Sequence, residues 1–240
     1  MLAVGDTISL GLYATNAGAP VKLEWLVVNV QDNQARIVIK KPDLFMYVFG
    51  DDAQKIWKDS QLRIWLNNDV YESIFSQKEK MCIADSIVKD DEQFKVSYDE
   101  EGGTWLRESY PVKVQPVITR DKLSIPRMSE IAVFKKVKTY DGQVMAYAIR
   151  KEYSELINEI WGQYNEFMIL DMCQCERKYW STGELVSQGL YHGTFLWKYN
   201  SDDPDNPEMR SERLLGYCSG SISVPVAIAA WIDINEYENM

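Results

Sequence analysis

His192 is the only histidine in the 240-residue chain, and that removes most of the nucleophilic chemistry a sequence can advertise. A Ser-His or Cys-His nucleophile needs an imidazole beside it, and a multi-histidine metal site needs several. His192 sits between Tyr191 and Gly193 in the β-favouring run "GLYHGTFLWKYN", so a strand position is its expected role. Cys173 and Cys175 form a C-x-C pair that a strand would place on one face, as half of a thiolate metal site or as a redox pair. Further zinc ligands would have to come from Cys82, Cys218 and His192, which lack the usual spacing. Reduced, partly buried thiols are therefore expected, because a chain of this length does not need disulfides to fold.

Oxygen ligands cluster in "NSDDPDNPE", which holds Asp202, Asp203, Asp205 and Glu208. Calcium uses hard carboxylate oxygens on flexible loops, but this segment lacks the glycine and closing glutamate of an EF-hand loop. A solvated acidic loop is the first reading and a calcium site the second. Paired carboxylates for glycoside hydrolysis cannot be picked out, since 36 acidic residues offer many pairs and fix no separation. Aromatic residues are more suggestive. Tyr191, Phe195, Trp197 and Tyr199 recur at strand spacing, and such a stripe is either one wall of the core or a platform for a sugar or a partner protein. Core is the first reading of the stripe. If the late segments bind a ligand, Tyr179, Trp180, Trp197 and Tyr199 are the candidate contacts.

Composition narrows the partners. A formal net charge of −10 repels phosphate backbones, which argues against nucleic acid. A hydrophobic content of 46% suffices for a substantial core in a single domain over residues 1–240. The start "MLAVGDTISLG" has neither a basic nor a long apolar region, so no export signal is expected there. No run approaches the roughly 20 apolar residues that cross a bilayer.

The elements that must position these residues can be read from periodicity. "DTISLGLYAT" alternates Ile8, Leu10 and Leu12 with Ser9, Gly11 and Tyr13, as a half-buried strand would. "VKLEWLVVNV" and "QARIVIKK" are two more strands joined by a turn at Asp32 and Asn33. In "KDSQLRIWLNNDVYESIFSQKEK", Leu62, Trp65 and Leu66 share one helical face, and Ser60 is placed to cap it. Tyr71, Ile74 and Phe75 repeat that spacing, and Ser76 with Glu79 forms a capping box for a third short helix. Arg63 and Asn67 fall on a neighbouring face. "VKDDEQFKVSYDEEGGTW" reads as an acidic loop around one short strand, with Gly102 and Gly103 as breakers. Residues 121–136 lead from an apolar piece at Leu123 and Ile125 into a helix capped by Ser129. An Asp141-Gly142 turn follows, then a helical stripe through Tyr153, Leu156, Ile157, Ile160 and Trp161. The last third returns to strands. Strands at both ends with helices between predict an α+β domain whose termini pair in one sheet.

Three of these segments also resemble a known family. "VGDTISLGLY", "VKLEWLVVNV" and "WKDSQLRIWLNNDVYESIFSQKEKMCI" are similar to a bacterial family of domains of unknown function. Its pattern runs G-D-x-I-x-x-G-x-Y, E-W-x-V-L, W-x-x-S-x-[IL]-R-x-W-L-N and F-S-x-x-E-K-x-x-I. Trp57, Ser60, Leu62, Arg63, Trp65, Leu66, Asn67, Phe75, Ser76, Glu79 and Ile83 fit that pattern. Later, "LSIPRMSEI" places Glu130 at the family's acidic position. "FMILDMCQC" lacks the tryptophan and arginine expected of its strand, and "ISVPVAIAAWIDI" keeps Val224, Pro225 and Ala227 without the arginine. The resemblance implies a C-type-lectin-like layout shared with formylglycine-generating-enzyme-like domains, with mixed and antiparallel sheets, short helices between them and paired termini. It also implies late loops, here near residues 176–221, that present a variable binding surface. Enzymes of that fold use a cysteine pair whose spacing Cys173, Cys175 and Cys218 do not match. The implied function is a non-enzymatic binding domain for a glycan or protein ligand. The alternatives are a carboxylate-based enzyme and a structural module of a surface assembly.

Overall fold

The computed structural model describes residues 2–14, 18–48, 56–99, 108–127, 130, 133–138, 144–149, 166–179, 181–199, 211–217 and 223–240. β1 (Thr7–Tyr13), β2 (Val21–Gln31) and β3 (Gln34–Ile39) form an antiparallel meander. Its second turn passes through Asp32 and Asn33, with φ of 46° and 63°. Such a mirror-image two-residue turn matches the twist of the strands it joins. The alternation expected along β1 breaks at Gly11. Register shifts between Ser9 and Leu12, and Gly11 adopts φ +83°, so one extra residue is accommodated and the phase flips. Leu12 is consequently 51% exposed while Ile8 and Leu10 are buried. The expectation that Leu12 faces inward is corrected by this bulge.

A short strand, β4 (Met46–Val48), precedes a helical run. Ser60 caps α1 (Gln61–Trp65), accepting from the Arg63 N–H at 3.1 Å. The helix then continues through a π turn at Leu66–Val70 into α2 (Tyr71–Ile74). The first two expected helices are therefore one run. Leu62, Leu66, Val70 and Ile74 are buried, a spacing of four at every step. Trp65 lies one step aside, half-buried, with its ring 5.4 Å from that of Tyr47. Trp65 thus packs at the margin of the core rather than in line with Leu62 and Leu66. α3 (Gln77–Cys82) opens with the expected capping box of Ser76 and Glu79.

β5 (Ser86–Asp99) and β6 (Glu108–Asp121) are 14 residues each and pair antiparallel, so the acidic stretch is mostly strand. The consecutive acids Asp90, Asp91 and Glu92 lower local strand propensity, but β6 carries the ladder past them, with a register shift between Asp90 and Glu92, and β10 joins from Gln93 onward. Gly102 and Gly103 lie outside the described residues. β7 (Leu123–Ser124) follows, then β8 (Val133–Lys138) and β9 (Val144–Ile149), which form a hairpin. The helix expected to reach residue 136 is corrected: Val133, Phe134 and Val137 favour strand and pair across to β9. Ser129, the Asp141-Gly142 turn and the stripe from Tyr153 to Trp161 lie outside the described residues. β10 (Glu166–Lys178), β11 (Leu185–Tyr199), β12 (Ser211–Tyr217), β13 (Ser223–Pro225) and β14 (Ala229–Asp233) make the strand-rich last third, ending in α4 (Ile234–Glu238).

The fold is α+β. One five-stranded sheet runs β1-β2-β3-β14-β7 and the other β12-β11-β10-β5-β6. Both ends of the chain thus enter the first sheet, with β2 and β3 between β1 and β14. All its pairs are antiparallel, and in the second sheet only β10–β5 is parallel. β9 lies against both β6 and β12, the two edges of the second sheet. The core sits between the first sheet and the helical run, with Trp25 and Trp57 fully enclosed, and Val88 and Leu170 extend it to the second sheet.

Candidate functional site

The residues of the helical signature converge on a carboxylate that the sequence did not single out. Asp121, at the end of β6, is buried. It accepts from the Trp57 indole N–H at 2.9 Å, Arg63 Nε at 2.8 Å and the Thr119 hydroxyl at 2.5 Å. Ser86 donates to the Asp121 backbone oxygen at 2.7 Å. Four residues along the helix from Arg63, the Asn67 Oδ1 accepts the N–H groups of Lys122 and Leu123, and its amide donates to the Leu123 carbonyl. Arg63 and Asn67 therefore reach across to the β6–β7 corner. Three of the roughly four acceptor sites of this buried carboxylate are taken by protein donors from three different elements, so the cluster acts as a joint.

A second polar cluster stands on the other side of β7. Arg36 on β3 is 5% exposed; its Nε donates to Glu130 Oε1 at 2.8 Å and its Nη2 to the Ser124 hydroxyl at 2.9 Å. Its guanidinium lies 5.9 Å from the Trp231 ring centre. Burial alone would raise the Glu130 pKa, but the Arg36 charge and hydrogen bond, with the Arg127 N–H at 2.7 Å, hold it below the ordinary carboxylate range. Arg36 and Glu130 thus form an ion pair that joins β3 to the segment after β7. Its visible signal was a lone cation inside the apolar run "ARIVI".

Glu79 ties two parts of the amino-terminal pattern together. It closes the capping box with Ser76, and its Oε1 accepts the Gly11 N–H at 2.8 Å. Burial would raise its pKa, yet these hydrogen bonds and the nearby Lys22 charge lower it. The Trp25 indole donates to the Leu10 carbonyl at 2.7 Å just before the bulge. Cys82, buried and free, donates its thiol to the Glu79 carbonyl, and burial pushes its pKa up to about 11. A thiol held protonated is a poor nucleophile and metal ligand.

The late segments place the candidate contact residues apart. Tyr179 lies at the end of the β10–β11 hairpin, where its N–H donates to the Glu184 carbonyl at 2.9 Å and its carbonyl accepts from Gly183 at 2.6 Å. Gly183 adopts φ +71°, as a turn of this kind needs. Glu184 N–H adds a bond to the Thr182 hydroxyl. Beside the turn, Arg177 pairs with Ser187 and Lys178 with Leu185, which leaves Val186 as a bulge. Tyr179, Leu185 and Val186 are 36%, 50% and 43% exposed. Trp197 and Tyr199 stand at the other end of β11, opposite Arg213 and Ser211 of β12. Trp197 is twelve positions beyond Leu185, about 40 Å at about 3.3 Å per strand residue. One small ligand cannot touch both ends. Trp180, Asp202, Asp203, Asp205 and Glu208 lie outside the described residues.

His192 is a strand residue as expected, and its register partner on β10 is Met172. Among the described residues no group of three or more histidine, cysteine or acidic residues could hold a metal ion, and no helix is long and apolar enough to cross a membrane. The chain matches no protein-family model, no curated protein and no solved structure.

Proposed function

We propose that this chain is a binding domain that presents the end of the β10–β11 hairpin to a protein ligand. The observation that carries this reading is the joint exposure of Tyr179, Leu185 and Val186 beside a turn closed by its own hydrogen bonds. An aromatic ring with aliphatic neighbours suits protein contact, because such residues supply large apolar area with few rotors to freeze. The locked turn lowers the ordering cost further. The resemblance of the amino-terminal pattern to a C-type-lectin-like family supports the same assignment, since there too a fixed core would hold late segments outward; fold analogy is the weaker support. A non-enzymatic role agrees with the way Asp121 and Glu130 are committed to partners.

The alternating stripe through Trp197 and Tyr199 supports a second reading, a glycan platform at the opposite end of β11. Panning a displayed peptide library against the intact chain, with counter-selection on a Tyr179→Ser, Leu185→Ser variant, tests the first reading. Peptides recovered only by the parent chain are expected, and equal recovery by the variant refutes hairpin-end binding. A glycan array read with and without EDTA tests the second. Signal lost in Trp197→Ala at unchanged Tm supports a platform, whereas a collapse in Tm assigns Trp197 to the core.

A further inference from the structure

A second surface lies at the far end of the same sheet. On β5, Ile87 and Lys89 point outward, and on β6 so do Ile118 and Arg120, while Val88 and Thr119 between them are buried. The register pairs Ile87 with Arg120 and Lys89 with Ile118. Residues directly opposite on paired strands have Cβ atoms about 4.5–5.5 Å apart, so the four side chains form a checkerboard of two isoleucines and two cations. The isoleucines are 59% and 56% exposed, well beyond an incidental edge. Arg36, Lys40, Arg63 and Lys80 are each engaged by a carboxylate. Lys89 and Arg120 have no such partner among the described residues. Asp85, just before β5, is already held by Lys122 at 3.0 Å, and Asp90, next to Lys89 in sequence, is buried.

We infer that this face docks an acidic, extended segment of a partner protein, its carboxylates over Lys89 and Arg120 and its apolar side chains over Ile87 and Ile118. Charge complementarity selects that occupant. On a chain of net charge −10, two cations that have no carboxylate partner among the described residues and that frame apolar area make a face where an anionic segment is attracted rather than repelled. A second copy of this strongly acidic chain would carry repulsion along with any complementary contact. The face lies about 40 Å from the hairpin end, as β5 runs twelve residues from Ile87 to Asp99, which pairs with Lys178. It is therefore independent of the function proposed above.

The test is fluorescence anisotropy with a short dye-labelled peptide of glutamates carrying isoleucine at every fourth position, against the intact chain at low and at physiological ionic strength. Saturable binding that weakens with salt is expected, with at least about a tenfold loss in Lys89→Glu, Arg120→Glu. A smaller loss that leaves the salt dependence in place is expected in Ile87→Ser, Ile118→Ser. Tyr179→Ser, Leu185→Ser should bind the peptide as the parent does. No binding at low salt, equal binding of a lysine-based peptide, or equal binding by the charge-reversed variant overturns the inference. Binding of anionic vesicles in place of the peptide also overturns it, in favour of a membrane surface. All variants lie on an exposed face, and a parent-like Tm confirms that each is folded.

Discussion

Replacing Asp121 with alanine tests the reading of the helical signature as a joint. The substitution removes one acceptor from three donors: Trp57 Nε1 at 2.9 Å, Arg63 Nε at 2.8 Å and the Thr119 hydroxyl at 2.5 Å. Trp57 is 1% exposed and Thr119 8%, so water cannot easily take the place of the lost oxygen. A buried donor left unsatisfied costs about 1–3 kcal/mol. Arg63 is different, because 27% of its side chain is accessible and water can serve it in part. The sum is about 3–5 kcal/mol, the range expected when one partner of a buried ion pair is removed. For a chain of this size that corresponds to a fall in Tm of roughly 6–20 °C. Urea unfolding followed by tryptophan fluorescence measures it, with Arg63→Ala and the double variant completing a cycle. Coupling of at least about 1 kcal/mol between Asp121 and Arg63 is expected. A loss below about 1 kcal/mol for Asp121→Ala would refute the reading of Asp121 as a structural joint.

Three further expectations follow from the fold. Gly11→Ala places a Cβ 3.0 Å from the Ile74 carbonyl oxygen and 3.1 Å from the Phe75 ring, at φ +83°; a loss of about 2–4 kcal/mol in urea unfolding is expected, and a loss under about 1 kcal/mol would mean the bulge rearranges. Trp65→Ala, on a half-buried ring, should cost about 1–3 kcal/mol against about 3–5 for Trp57→Ala, and equal losses would undo the distinction drawn between the two. Cys82, buried with its pKa near 11, should resist iodoacetamide at neutral pH in the native chain and react in denaturant, as mass spectrometry of its peptide will show; rapid native labelling would contradict its burial.

The sequence by itself determined the local devices. Ser60 and Ser76 cap the helices they were placed to cap, Asp32 and Asn33 make the turn their residue types favour, and strands enclose helices at both ends of the chain. Those features depend on contacts within a few residues, where periodicity and side-chain chemistry suffice. Only the tertiary structure decided what crosses the chain. Gly11 had to be read against Glu79 before its bulge, and the exposure of Leu12, made sense. The acidic run from Asp90 to Glu92 became strand because β6 pairs along it, and "VFKKV" became strand because β9 pairs with it. Arg36 and Asp121 escaped notice because one sequence shows a charge but not the partner that makes its burial tolerable. The candidate site changed for the same reason. Tyr179 and Trp197 are close in a list of late aromatics, yet a long hairpin holds them at opposite ends, because pairing register, which no stretch of sequence displays, fixes which residues can meet one ligand.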